Sequence, residues 1–198
     1  MKRRSFLRKV GVGLGASLFY RAFAQGSPTV RWRLVSSYPR SLDTLYGGAE
    51  ELAKRVAELT GGRFQIRVYQ AGELVPGGQV LDAVQQGTVE CGHSASYYYV
   101  GKDMAFAFDA AIPFGLTARQ QNAWMLMGGG LELLRRVYAD FGVLQFPGGN
   151  TGTQMGGWFR REVRTLEDLK GLRMRIPGLG GEALKKLGLR PENSRVVV

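Results

Sequence analysis

The sequence predicts an α/β fold of parallel strands alternating with helices. Three observations carry the α/β prediction. Short runs with a two-residue apolar repeat alternate with longer runs of helical repeat. The first such unit is strand, helix, strand, which joins parallel rather than antiparallel neighbours. Clusters of Gly and Pro mark the joints between runs.

Val30-Arg31-Trp32-Arg33-Leu34 alternates apolar and charged side chains, the period of a strand with one buried face. After a turn-rich stretch at Tyr38-Pro39, the residues Ala49, Leu52, Ala53 and Val56 recur at helical spacing. Glu50 with Lys54 and Glu51 with Arg55 stand four apart in the favourable acid-first order, and Gly61-Gly62 ends this helix. Phe64-Gln65-Ile66-Arg67-Val68 is the second strand, reached by a right-handed crossover. A short helix over Gln79–Gln86 turns Val80, Leu81 and Val84 inward and leads to a strand near Val89–Ser94. Residues 117–141 are helical with a break at Gly128-Gly129-Gly130, and Leu134, Val137, Tyr138 and Phe141 share a face. Strand, helix and strand follow at Val143–Phe146, Thr165–Lys170 and Leu172–Ile176. Six turn-formers, Pro147 to Gly152, divide a first lobe (25–152) from the beginning of a second (153–198). Arg195-Val196-Val197-Val198 reads as the opening of a strand, and 46 residues after the boundary are few for an α/β lobe, so the chain reads as C-terminally truncated.

The 198 residues carry 27 Lys and Arg against 16 Asp and Glu, a net charge of +11. Six of those cations lie in residues 1–24, which hold no acid; without them the balance is 21 to 16, or +5. That excess suits small anions and argues against a nucleic-acid partner, which needs many phosphate contacts. Residues 1–24 read as an export signal peptide: a basic start, the 11-residue apolar run Val10–Tyr20, then Ala22-Phe23-Ala24 for cleavage. Arg3-Arg4 followed by Phe6-Leu7 resembles the twin-arginine type. The run is too short and too rich in glycine to span a bilayer, which takes about 20 apolar residues. The mature chain is thus expected in the periplasm, not itself membrane-spanning. A single cysteine, Cys91, excludes an internal disulfide, and with one histidine, His93, a Cys/His zinc site is out of reach.

Cys91 and His93 share a strand face, but about 7 Å separates such positions and no third group orients them, so a buried thiol and a structural histidine are the simpler reading. Gly178-Leu179-Gly180-Gly181-Glu182-Ala183 matches the spacing of a dinucleotide turn. The strand before it alternates, however, where a buried parallel strand would be apolar on both faces. A structural turn is favoured, with a secreted nucleotide-cofactor oxidoreductase as an alternative function. Within Leu172–Ile176, Leu172, Met174 and Ile176 fall on one face and Arg173 and Arg175 on the other. Those guanidiniums face either bulk water or a cleft; in a cleft they would form a fork for a carboxylate. Gln154, Gly156 and Trp158 are expected on one strand face, where the Gln154 amide oxygen is a neutral hard ligand acceptable to sodium or calcium. Tyr97-Tyr98-Tyr99 follows a strand end, where α/β sheets place ligands.

Several stretches together resemble the substrate-binding proteins of tripartite ATP-independent periplasmic (TRAP) transporters. They are Gly72–Gly87, Gly92-His93-Ser94-Ala95, Asn150–Phe159 and, strongest, Leu169-Lys170-Gly171-Leu172-Arg173-Met174-Arg175-Ile176-Pro177-Gly178. The resemblance is to the branch that takes 2-oxo or 2-hydroxy monocarboxylates with a metal ion. It runs over Gln25–Gly188 and fades after Gly188. It implies a periplasmic-binding-protein-like clamshell, its first lobe nearly complete here and its second partial, that is not an enzyme but captures a small organic acid and delivers it to membrane permease subunits. By that resemblance Arg175 pairs with the substrate carboxylate and Gln154 sits at metal and substrate. Tyr97 contacts substrate from the first lobe, and Trp158 walls the pocket. A sodium or calcium ion is implied beside the ligand, with no catalytic cofactor. A binding protein of an ATP-driven importer would share the clamshell without the Gln154 and Arg175 pairing.

Overall fold

The computed structural model describes residues 29–110 and 112–192. The export signal expected at 1–24 and the strand expected at Arg195–Val198 lie outside the described residues. Strand β1 (Val30–Ser36) is the centre of a three-stranded parallel sheet, with β2 (Phe64–Tyr69) on one side and β3 (Cys91–His93) on the other. Val30 opposes Phe64 and Val35 opposes Tyr69; Leu34 opposes Cys91 and Ser36 opposes His93. Helix α1 (Asp43–Leu59) makes the crossover from β1 to β2 and buries Tyr46 and Ala49. Successive residues of a strand face opposite sides, and Leu34 and Val35 are both buried, so the C-terminal half of β1 is covered on both faces. Val35 packs on Val80 and Ala83 of α2 (Val80–Gln85) and on Val89.

A helical layer adjoins this sheet. Helix α3 (Ala107–Ala110) is followed by α4 (Ala118–Met127), which starts with a reciprocal Thr117–Gln120 capping box. Helix α5 (Gly130–Ala139) turns back from it. The break falls where expected: Gly129 takes φ +80°, and a side chain at Gly130 would run into the Trp124 indole. Phe106, fully buried, sits between Tyr99, Tyr138 and Phe141, and with Leu81, Met125 and Leu134 forms the main core. A second parallel pair, β4 (Arg173–Arg175) and β5 (Arg190–Glu192), is joined by α6 (Gly178–Lys185). Among the described residues no helix is long and apolar enough to cross a membrane.

Four expectations are corrected. Val143–Phe146 is not a strand: Val143 and Gln145 turn inward while Leu144 and Phe146 stay 63% and 65% exposed, but no neighbour pairs with this edge among the described residues. Gln154–Phe159 is likewise an unpaired loop, because a strand needs a ladder to satisfy its backbone. Thr165–Lys170 shortens to one 3₁₀ turn, Glu167–Leu169, since the Asp168 carboxylate accepts from the Arg164 and Thr165 backbone N–H groups and fixes a local turn instead. On α1, Arg55 pairs with Glu51 as expected, but Lys54 also leans toward Glu51, at 4.0 Å, rather than pairing with Glu50. Strand β5 was not anticipated; Pro191 in its centre argues against a strand, and it is tolerated because this two-stranded sheet leaves β5 an edge.

Candidate functional site

Parallel strands place their polar loops at one edge, and here the carboxyl ends of β1 and β3 meet there. Ser36 Oγ lies 3.3 Å from His93 Nδ1 and accepts from the Tyr38 backbone N–H at 3.2 Å. The Tyr38 and His93 rings meet edge to face, 5.3 Å apart. Ser37 Oγ is hydrogen-bonded to the Gly77 carbonyl at 2.6 Å and to Ser94 Oγ at 2.7 Å, and Ser94 Oγ to Tyr99 Oη at 2.7 Å. A carbonyl only accepts, which commits the Ser37 proton to Gly77; Ser94 then donates to Ser37, and Tyr99 to Ser94. The Tyr99 oxygen in turn accepts the Leu81 N–H at 3.3 Å, satisfying one of the free donors in the first turn of α2. This relay ties the turn Ser96–Tyr99 to both strand ends.

Arg175 reaches the same turn from β4. Its Nη2 donates to Tyr98 Oη at 3.0 Å and its guanidinium carbon lies 5.9 Å from the centre of the Tyr98 ring. Tyr97 stands edge-on to Tyr98 at 4.8 Å, and a Cβ added at Gly178 would come within 3.2 Å of the Tyr97 Cβ. The start of α6 therefore rests directly on Tyr97. Burial pushes the Tyr97 phenol up to about 12, an effect the neighbouring Tyr98 reinforces and Arg175 partly offsets. Burial likewise raises Tyr38, again with partial relief from Arg175. These two phenols are thus neutral donors at ordinary pH. Burial lowers the His93 imidazole, which keeps it neutral as well.

The two arginines of β4 now part company. Arg173 Nε is paired with the Glu192 carboxylate at 2.7 Å. Arg175, two residues on, has no acidic partner among the described residues and meets a phenol instead. Its charge is left available on an exposed side chain. Arg175 and Tyr97 are therefore brought to one place. Gln154 and Trp158 are not joined to them: Gln154 lies in the exposed loop, where its Nε2 donates to Thr151 Oγ1 at 2.8 Å, and Trp158 is 89% exposed. No hydrogen bond links Gln154 to Arg175 among the described residues. That bond to Thr151 uses the Gln154 nitrogen and leaves its carbonyl oxygen for another partner. No three His, Cys, Asp or Glu side chains cluster in a metal-binding arrangement among the described residues.

The glycine turn before α6 has packing reasons. A Cβ at Gly181 would fall within 2.3 Å of the Ile176 carbonyl oxygen, and Gly178 has φ +68° against Tyr97. The bland reading of Cys91 also stands: burial raises its thiol to about 11, which disfavours the nucleophilic thiolate. Sequence reasoning singled out Tyr98 with its two neighbours but not as the partner of Arg175, and it missed Tyr38 and the serine relay. The rule that ligands lie at carboxyl ends of parallel strands marks Ser36–Tyr38 as well as it marked Tyr97. Nothing in the spacing announces that Ser37 and Ser94 meet.

A family model described as bacterial extracellular solute-binding protein, family 7, matches residues 35–195. A monocarboxylate 2-oxoacid-binding periplasmic protein of Nostoc sp. strain PCC 7120 is 53% identical, over 96% of this chain and 54% of its own. A TRAP transporter solute-binding protein of Bordetella bronchiseptica RB50, solved with calcium and picolinate, superposes with a TM-score of 0.83 at 53% identity, over 85% of this chain and 50% of that one. A TRAP periplasmic solute-binding protein of Pseudoalteromonas atlantica T6c, solved with sodium and pyruvate, does so with a TM-score of 0.82 at 46% identity, over 85% and 51%. The chain thus spans about half the length of the relatives it matches.

Proposed function

The chain belongs to the bacterial extracellular solute-binding proteins of family 7, and from that membership we propose that it captures a small 2-oxo or 2-hydroxy monocarboxylate in the periplasm and passes it to the membrane permease subunits of a TRAP transporter. The observation that carries this reading is Arg175, a guanidinium with no acidic partner among the described residues, set among neutral phenols at the carboxyl edge of a parallel sheet. A carboxylate must shed water to enter such a site, and it does so at tolerable cost only when paired and hydrogen-bonded. Arg175 supplies the pairing, while the Tyr97 hydroxyl is a donor for the keto or hydroxyl oxygen beside the carboxylate. The relatives' ligands, pyruvate and picolinate, share that oxygen or nitrogen next to a carboxylate.

A sodium or calcium ion accompanies the ligand in this reading, held partly by the acid itself and partly by the Gln154 amide oxygen, with Trp158 walling the same side. Its contribution is to neutralise and orient the carboxylate without an acidic cage. The segment Pro147–Gly152 is the boundary between lobes 25–152 and 153–198 in this reading, so that closure brings Gln154 and Arg175 of the second lobe together against Tyr97 of the first. Closure is a population shift, because only the closed state touches the ligand from both sides. The protein performs no chemistry on its ligand.

Calorimetric titration tests this. Pyruvate and lactate are expected to bind, and the uncharged amide of pyruvate is not. Removing sodium, or adding a divalent chelator, is expected to weaken binding; indifference to both removes the ion from the account. Equal binding of the acid and its amide, or no binding of either acid, contradicts the reading.

A further inference from the structure

Several arginines of this molecule are fixed by carboxylates: Arg33 by Glu90, Arg55 by Glu51, Arg136 by Glu132 and, on the same strand as Arg175, Arg173 by Glu192, each at 2.6 to 2.7 Å. Arg175 is fixed by the Tyr98 hydroxyl and the Tyr98 ring, the kind of contact Arg40 makes with Tyr46. From this we infer that Tyr98 is a positioning residue: it holds the Arg175 guanidinium in place while leaving both its charge and its fork free for an anion. The inference rests on the reading that Arg175 meets the ligand carboxylate, and it adds the residue that prepares Arg175 for it.

The geometry supports each part. A guanidinium has five N–H groups, and Tyr98 takes one of them on Nη2. The second hydrogen on Nη2 keeps one of the two forks, with Nε along the edge or with Nη1 at the end, for a bidentate carboxylate. A carboxylate in place of the phenol would hold the arginine as well but cancel its charge, as Glu192 does for Arg173. The phenol is itself held: its ring packs against the main core and meets Tyr97 edge to face. Tyr97 in turn lies against Gly178. The lock therefore spans the first sheet's turn and the start of α6, and it restrains a long side chain whose rotamer freedom would otherwise have to be lost on binding.

The test uses the whole chain and the variant Tyr98→Phe, which keeps the ring and its packing. Two readouts are taken: the heteronuclear NOE of the Arg175 Nε–H signal, assigned by its loss in Arg175→Lys, and pyruvate affinity. The expected result is an ordered Nε–H signal in the parent protein that becomes mobile in Tyr98→Phe, with affinity weakened roughly tenfold, the size of one hydrogen bond to a charged group. A signal equally ordered, or equally mobile, in both proteins overturns the inference, as does an affinity unchanged by the substitution. Should the parent protein bind no 2-oxoacid, the proposed function fails, whereas the lock is still decided by the Nε–H signal.

Discussion

Two regions of this molecule carry candidate site residues and hold them in opposite ways. At the carboxyl ends of β1 and β3 the contacts are distant in sequence: Ser36 with His93 and Ser37 with Ser94 are each 57 residues apart, and Arg175 with Tyr98 is 77. In the loop after Val143 they are local. Asn150 Oδ1 accepts from the Gly152 N–H, Gln154 donates to Thr151, and Asp168 accepts from Thr165 and Arg164, spans of two to four residues. The serine and histidine contacts are a consequence of the β1–β3 register and cannot shift without unpairing strands, while Arg175 joins them from a separate sheet. The second region can move with little loss. A site that must grip a ligand and also close on it has use for both.

The first region should therefore be sensitive to packing and the second indifferent. Phe106→Ala removes the buried ring beneath Tyr99 and Tyr138, and is expected to cost about 3–5 kcal/mol in urea unfolding. Gly181→Ala forces a methyl against the Ile176 carbonyl where α6 begins, and about 1–3 kcal/mol is expected from overpacking. Tyr99→Phe keeps the ring and deletes the hydroxyl at the head of the serine relay; a loss of about 1–3 kcal/mol follows if that relay is structural. Gln154→Ala, by contrast, should leave stability within about 0.5 kcal/mol while still weakening ligand binding, because it touches only Thr151. A large unfolding penalty there would erase the distinction between the regions.

A smaller effect concerns pH. Arg33 holds the Glu90 carboxylate at about 2 through its side chain and its backbone N–H. A carboxyl whose folded value is depressed contributes stability that is present above its ordinary value and lost as pH falls through that range toward 2. Asp109 has the opposite sign: burial raises it, against a hydrogen bond from Tyr138, so its contribution favours the fold at lower pH and fades as pH rises. Glu90→Gln should thus lower the neutral plateau modestly and flatten the acid limb, the two curves converging as pH falls toward 2. The pair is exposed, so added salt should shrink the difference.

The contrast between regions also explains what was legible in the sequence. Strands β1 and β2, helix α1 and the helical pair broken at Gly128–Gly130 were readable because each repeats on the period of its own buried face. Val143–Phe146 and Gln154–Phe159 show the strand period too, but period states only which side chains share a face. Whether a ladder forms depends on a neighbour, and local acceptors such as Asn150 and Asp168 offered the backbone a nearer partner. Of the site, Arg175 and Tyr97 were legible from strand alternation and from position after a strand end. Tyr98 as the partner of Arg175 was not, since it depends on how β4 approaches a turn 77 residues earlier. Strand alternation left Arg173 and Arg175 equivalent and the family resemblance chose Arg175; in the structure Glu192 on β5, which pairs with Arg173, separates them.

That separation is the most direct point of attack. Pyruvate should be titrated calorimetrically into the parent chain, Arg173→Ala and Arg175→Ala under one set of conditions. Losing a desolvated charge partner costs about 2–5 kcal/mol, so Arg175→Ala is expected to weaken binding by at least about thirtyfold, while Arg173→Ala, whose charge is already met by Glu192, stays within about threefold. Equal losses from the two substitutions, or near-parent affinity in Arg175→Ala, would contradict the assignment of Arg175 as the anion's partner.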